Sequence, residues 1–459
     1  MKIALINPYE LGRQPFALAE PAAFLLDAGF DLVALDLSQE RLSQEKLQDA
    51  NLIAIYLGMH TATRIALEAL PRIKEMAPNA WLAAYGLYAP VNAALLRKIG
   101  IQSIFGGECE ALLLDLATSL SKGIPPMETE AIHSKFQFRL PNRTLLPDLR
   151  QYAHLIMPDG SKRMVAFAES SRGCKHLCRH CPVVPVYQGK FRGIPVEIVM
   201  EDIAQQVSQG AQHVSFGDPD FFNGPTHAVR VITALKQQFP DITFDATIKV
   251  QHLLEQRELI PFLHESGCLF VTCAIESVDD EVLRHLDKNH TADNFKELVG
   301  LFRMQGIALA PTFIPFTPWT TPASYIELLK TLVALKLIES VPPVQLIIRL
   351  LIPEGSWLLK LEGFQNLILP FDENALGYPW IHKDATVDAL QVKVQQWVEA
   401  SEKDGLSRND IFRGLWRIAH AETGMEAPDL PADLGSPIPA MSEPWYCCAE
   451  PTQQQLKSF

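Results

Sequence analysis

The sequence has no uninterrupted apolar run of about twenty residues, the length a membrane-crossing helix needs. Nor does it have a charged-then-apolar leader, since Met1 passes directly into Lys2-Ile3-Ala4-Leu5-Ile6. A cytoplasmic protein without membrane partners is expected. Positive charge is also short: 40 Lys and Arg stand against 53 Asp and Glu, a formal net charge of -13. That balance argues against a nucleic-acid coat or a polybasic anchor and leaves small molecules as the expected partners. Cysteine is sparse, eight in 459 residues, with three in one short motif and two adjacent. This is no secreted disulfide framework, and a reducing compartment fits. What remains is a globular chain, 48% hydrophobic, with room for two or three domains and an enclosed site.

The most informative stretch is Ser171-Arg172-Gly173-Cys174-Lys175-His176-Leu177-Cys178-Arg179-His180-Cys181-Pro182, whose cysteines fall at C-x3-C-x2-C spacing. Three thiolates this close call for a metal. Structural zinc closes its tetrahedron with four protein ligands, so three cysteines suit an iron-sulfur cluster with one iron open to a small molecule. The competing readings are packing cysteines, or a zinc knuckle completed by His176 or His180.

Before this motif, strand-like runs at Lys2 to Pro8, Asp31 to Leu37, Asn51 to Met59, Ala80 to Leu87 and Gln102 to Phe105 alternate with amphipathic stretches such as Ala62 to Met76. The alternation predicts a doubly wound, flavodoxin-like α/β domain over residues 1–120, with ligands beyond the carboxyl ends of its parallel strands. Gly106-Gly107-Glu108-Cys109-Glu110 either turns backbone amides towards a polar ligand or makes a tight turn into the last helix. Prolines such as Pro125, Pro126, Pro141, Pro147 and Pro158 mark residues 121–162 as a linker.

Residues 163–385 resume the alternation, with strands expected at Met164 to Ser170, His213 to Gly217, Thr243 to Lys249, Leu269 to Ser277, Ala308 to Phe316 and Val344 to Ile352. Six such units predict a partial (β/α)6 barrel with its chemistry on the C-terminal loops. A period of two puts Thr272, Ala274 and Glu276 on one face of the fourth strand and Cys273 in the core. It likewise groups Asp245, Thr247 and Lys249 on the third strand, and Gln345 and Arg349 on the sixth. Charges in a barrel lumen either bind a zwitterionic ligand or pair with one another as a lining. Helical Val387 to Ala400 and Asn409 to Thr423 then open a C-terminal segment, residues 386–459, with an irregular Pro-rich tail.

From about Val165 to Pro353 the chain resembles the radical S-adenosylmethionine (radical SAM) enzymes. The resemblance implies that Cys174, Cys178 and Cys181 ligate a four-iron four-sulfur cluster and that S-adenosylmethionine binds its open iron. It implies that Gly217 and Asp218 face the methionine amino group, Glu276 and Ser277 the ribose, Thr312 the adenine, and Lys249 and Arg349 the carboxylate. An external electron donor of flavodoxin or ferredoxin type goes with it. Cleavage at the ribose would give a 5'-deoxyadenosyl radical, and cleavage on the other side an aminocarboxypropyl fragment. The N-terminal unit is similar to the cobalamin-binding domain of many such proteins. Where cobalt-ligating domains carry D-x-H-x-x-G, however, this chain reads Asn7-Pro8-Tyr9-Glu10-Leu11-Gly12, with Tyr9 at the histidine's place. Either cobalamin is held without a protein histidine, or the domain is a scaffold without it.

The tail carries Trp445-Tyr446-Cys447-Cys448-Ala449-Glu450-Pro451. Adjacent α-carbons are about 3.8 Å apart, below the usual disulfide span. The pair is better suited to hold one thiophilic centre or to act as donor and resolving thiols, unless these are ordinary cysteines in a frayed terminus. Cys447 to Pro451 resembles the tail of a small group of radical SAM proteins defined by Cys-Cys-Ala-Glu-Pro. Three expectations follow: an enzyme that attaches a carbon fragment to a substrate held or relayed by Cys447 and Cys448, a cobalamin-dependent radical methyltransferase, or a non-catalytic redox or metal sensor.

Overall fold

The computed structural model describes residues 1–124, 126 and 137–443. Five short apolar runs form the N-terminal sheet: β1 (Lys2–Asn7), β2 (Asp31–Asp36), β3 (Leu52–Tyr56), β4 (Trp81–Tyr85) and β5 (Ser103–Phe105). All pairs are parallel and the order is β2-β1-β3-β4-β5. Helices cover both faces, so Ile3 to Ile6 are fully buried without alternation, as parallel strands require. The order reverses at β1 and β3, and a crevice opens beyond their carboxyl ends.

The second sheet has β6 (His154–Ile156), β7 (Lys162–Ala168), β10 (His213–Phe216), β11 (Thr243–Thr247), β12 (Cys268–Glu276), β13 (Ala308–Phe313) and β14 (Ala440–Met441), with the hairpin β8 (Ser171–Gly173) and β9 (Phe191–Gly193) set apart. From β7 through β10, β11 and β12 to β13 the strands are parallel neighbours, a curled half-barrel. Val271, Cys273 and Ile275 of β12 are wholly buried in the layer under the helices, which bears out the core position of Cys273.

Three expectations change. Val344 to Ile352 forms no sixth strand: Pro342 and Pro343 start a 3-10 turn, Pro343–Leu346, and one isolated bridge joins Arg349 to Phe316. Proline fixes φ and removes a ladder donor, which explains the loss of pairing at the start of that run. The Pro-rich segment is not irregular throughout where described. β6 pairs antiparallel with β7. Arg143, 4% exposed, makes two hydrogen bonds to Asp202 and others to Gln14 and the Phe167 carbonyl. It therefore ties the N-terminal loop, the intervening segment and the half-barrel together. Finally, the far end of the chain returns. After the helices Ala385–Lys403 and Arg408–Glu422, β14 pairs with β6 at the sheet edge. No helix of the described residues is long and apolar enough to cross a membrane.

Candidate active site

β7 ends at Ala168, and the three cysteines follow on a loop pinned at several points. Gly173 closes β8 at φ 77°, and a Cβ there would fall 2.4 Å from the Lys190 carbonyl oxygen and 2.5 Å from the Tyr187 ring. Only glycine fits. Asn223 accepts from the Lys175 amide and donates to the Gly173 carbonyl. The Arg179 amide donates to the Leu286 carbonyl, and its own carbonyl accepts from Ser356 Oγ and the Leu358 amide. Burial, and after it the Asp220 carboxylate, push the Cys174 thiol up to about 11, while burial and neighbouring Cys178 push Cys181 higher still. Three thiols on a held loop, free of disulfides, fit a cluster with three protein ligands.

A cavity of about 380 Å³ opens where the carboxyl ends of both sheets face each other. From the half-barrel, Cys181, Gly217, Asp218, Glu276 and Thr312 line it, and from the N-terminal domain Glu10, Tyr56, Tyr85 and Glu110 do so. Glu276 ends β12 beyond a bulge, with φ 70°, a backbone state unusual for any residue but glycine. Its Oε1 meets Lys288 Nζ at 3.1 Å and His180 Nε2 at 3.2 Å. Despite burial, Lys288 and then His180 hold the carboxyl down at about 2, so it is anionic throughout the ordinary pH range. An anionic carboxylate at the cavity wall accepts from hydroxyl or ammonium donors.

Asp218 lines the same cavity, but its oxygens accept from the Ser170 amide, Ser170 Oγ and Ser171 Oγ. It therefore also fastens the end of β7 to the end of β10 just ahead of the cluster loop. Ser277 does not line the cavity: its Oγ accepts from the Asp279 amide, and Asp279 caps the next helix by accepting from the Glu281 and Val282 amides. The structure does not bring Arg349 to the cavity. Its guanidinium donates to Asp388 and the Trp380 carbonyl and stacks 3.5 Å from the Trp380 ring centroid, fixing the C-terminal helix. Lys249 caps the helix Val250–Glu255, 7% exposed, with Nζ buried and without a hydrogen bond. It lies outside the cavity wall.

Residues that period-two reading missed complete the wall or support it. Lys288 sits on the turn after the helix Asp280–Leu286, between two residues of positive φ, Asp287 and Asn289. Those turn residues were the only signal. Arg172 joins Glu20 and Glu110 of the N-terminal domain to Glu169 of the half-barrel, in a mostly buried group that holds the two domains in register.

Cys109 and Glu110 face the cavity at the start of the helix Glu110–Ser121, as the Gly-Gly turn allowed. The place of the expected cobalt ligand is different. Tyr9, 4% exposed, packs against Leu11, Ala62 and Ile65, and its hydroxyl donates to Glu443 Oε1 at 2.6 Å. At Gly58 a Cβ would meet the Tyr56 ring at 2.4 Å, and at Gly86 the Leu57 carbonyl oxygen at 2.8 Å, so these glycines pack against their own chain. These residues do not fit a histidine-ligated corrinoid. Cys447 and Cys448 lie outside the described residues.

Residues 169–332 match the family described as the radical SAM superfamily. Among curated proteins, the ribosomal protein uS12 methylthiotransferase RimO of Porphyromonas gingivalis is 23% identical over 253 residues, covering 52% of this chain and 56% of that protein. The chain thus spans about half the length of the curated relatives it matches. Among solved structures, the radical SAM methyltransferase TsrM of Kitasatospora setae with cobalamin and a [4Fe-4S] cluster has TM-score 0.59 at 18% identity, covering 73% of each chain. The cobalamin-dependent radical SAM enzyme OxsB with aqua-cobalamin and S-adenosylmethionine has TM-score 0.66 at 14% identity, covering 92% of this chain and 71% of that one. A radical SAM domain implies a [4Fe-4S] cluster and S-adenosylmethionine. The match to the radical SAM superfamily thus falls on the half-barrel, and the fold, with an α/β domain ahead of that half-barrel, is similar to the folds of TsrM and OxsB.

Proposed function

We propose that the protein is a radical SAM enzyme that transfers or activates a carbon fragment of S-adenosylmethionine, acting on a small thiophilic substrate (arsenic, selenium or sulfur) handled by Cys447 and Cys448. In this reading residues 163–385 are the catalytic half-barrel, 1–120 close the cavity from above, and 386–459 bring the tail back. Cys174, Cys178 and Cys181 hold the cluster, and bound there the cluster and S-adenosylmethionine supply one-electron cleavage of a carbon-sulfur bond. Glu276 accepts from the ribose hydroxyls, Gly217 lets the Phe167 ring pack against the end of β10 at the cavity wall, and Thr312 borders the adenine. Asp218 keeps the β7 end in place beside the methionine part. Enclosure between the two sheets keeps water from the reactive species.

The observation that carries the reading is the Tyr9–Glu443 hydrogen bond, which fixes the chain four residues before Cys447 against the loop whose next residues, Glu10 and Leu11, line the cavity. The test is anaerobic incubation of reconstituted enzyme with reductant and S-adenosylmethionine, with and without arsenite or selenide, followed by mass spectrometry. The Cys447→Ser/Cys448→Ser protein is expected to cleave the cosubstrate and form no product. Equal product from both proteins removes the tail from the mechanism.

A second reading, a cobalamin-dependent methyltransferase, is favoured by the fold shared with cobalamin-bound TsrM and OxsB. It requires a corrinoid without a histidine ligand from the β1 loop. Stoichiometric corrinoid binding by the purified protein selects it, and absence of binding discards it.

A further inference from the structure

Beside the cluster loop, three side chains from three separate elements converge. His176 lies between Cys174 and Cys178, Asp220 follows β10, and His252 projects from the helix Val250–Glu255. Their ligand atoms lie within 4.8 Å of one another. His176 Nε2 stands 3.4 Å and His252 Nδ1 2.8 Å from Asp220 Oδ2. The side chains are 10%, 3% and 12% exposed for His176, Asp220 and His252.

All three facing atoms are buried without a hydrogen-bond partner. At 2.8 Å the His252 and Asp220 atoms are near enough for a hydrogen bond, yet they make none, so Oδ2 lies off the ring nitrogen's donor axis. The three ligand atoms are nonetheless close enough together to share one ion. Their charges attract at these distances, yet three interior polar atoms without a well-formed hydrogen bond are costly unless something sits between them. Two ligands about 2.0 to 2.2 Å from one ion are themselves roughly 3 to 3.5 Å apart, depending on the angle at the metal. The two His–Asp separations, 2.8 and 3.4 Å, lie close to that range.

The surroundings hold the three in place. The Phe222 amide donates to Asp220 Oδ1, which leaves Oδ2 turned to the histidines. Asn223 bonds to the backbone on either side of Cys174 and so sets His176 against Asp220. Partners of this kind orient the ligands of metal sites.

We propose that His176, Asp220 and His252 form a second metal site, distinct from the three cysteines, for one divalent first-row transition-metal ion. Two imidazoles and one carboxylate suit zinc or ferrous iron and leave coordination positions open for water or another small ligand. The ion would join the cluster loop to β10 and to the helix after β11. The loop's geometry would then depend on two metal centres.

The test uses reconstituted holoenzyme carrying Cys447→Ser/Cys448→Ser, so that the cluster occupies one set of thiols and the tail offers none. It is equilibrated anaerobically with Zn2+, desalted, and measured for zinc, iron and sulfide. One zinc per chain beyond the cluster is expected, bound at least tenfold more weakly after Asp220→Asn or His252→Ala while iron and sulfide are kept. No retained zinc, or equal retention by both variants, overturns the site and leaves a packed His-Asp-His group. Should a variant lose its cluster, the parent protein with Co2+ decides. Ligand-field bands without thiolate charge-transfer absorption support the site, and a thiolate band assigns the ion to cysteine instead.

Discussion

The Tyr9 hydroxyl donates to Glu443 Oε1 across 434 residues of sequence, at 2.6 Å. The residue standing where a cobalt-ligating histidine is expected thus holds the C-terminal segment instead. The neighbouring contacts agree: Ser442 exchanges hydrogen bonds with His154, and Gly12 packs against the Glu443 side chain. Tyr9→Phe keeps the ring among Leu11, Ala62 and Ile65 and removes only the tie, a loss of about 1 kcal/mol. The variant should fold normally yet release its C-terminal peptide faster to a glutamate-specific protease. Identical release rates would detach the tail from the β1 loop.

Asp218 separates two roles for a carboxylate at the end of β10. If its main work is to receive Ser170 and Ser171, Asp218→Ala leaves three donors without an acceptor next to the cluster loop. Iron and sulfide per chain should fall after reconstitution, and Ser171→Ala should reproduce a milder version. A full cluster combined with weakened S-adenosylmethionine binding would instead assign Asp218 chiefly to the methionine amino group.

Glu10 gives the cavity a pH dependence. Burial, and next the Asp36 charge, raise its carboxyl from 4.5 to about 8, outweighing Arg13, Arg143 and Arg172. The folded state therefore holds a proton that the unfolded chain releases above 4.5, so this residue's contribution to stability falls as pH rises through that interval and levels off above about 8. Thermal unfolding of wild type and Glu10→Gln from pH 5 to 9 should show the wild type losing ground to the variant towards high pH. Parallel curves would mean that Glu10 is charged in the folded protein.

Where side-chain burial follows from a regular strand, the sequence was readable. The five strands of the N-terminal sheet and β7, β10, β11, β12 and β13 of the half-barrel lie where apolar runs placed them, β6 being the strand that fell in the expected linker, and period two put Cys273 inside and Glu276 at the cavity. The same rule failed at Arg349 because it presupposes a strand, and Val344 to Ile352 makes only one bridge. Its partner Asp388 lies 39 residues on, in a separate helix. Proline content likewise misjudged residues 137–161, since a chain poor in regular structure can still be fixed by a buried pair such as Arg143 and Asp202. Lys288, His252 and Asp220 stand in turns or on a short helix. No periodicity points them inward, and only the assembled fold brings them to the cluster loop.

Lys288 is the sharpest case, because its charge is needed only when Glu276 is present. The two side chains are 4% and 9% exposed, so removing Glu276 strands a buried ammonium and removing Lys288 leaves the buried carboxylate with His180 alone, at a cost of up to about 3–5 kcal/mol. Lys288→Met should therefore destabilise strongly, while Lys288→Met/Glu276→Gln should recover much of the loss, since no unpaired ion remains. Binding separates the two residues further. If Glu276 accepts from the ribose, Glu276→Gln should weaken S-adenosylmethionine binding at least tenfold with iron and sulfide unchanged, and the double variant, though more stable than Lys288→Met, should bind no better than Glu276→Gln. Full binding by the double variant would mean that the Glu276–Lys288 pair braces β12 and that the ribose is held by other groups.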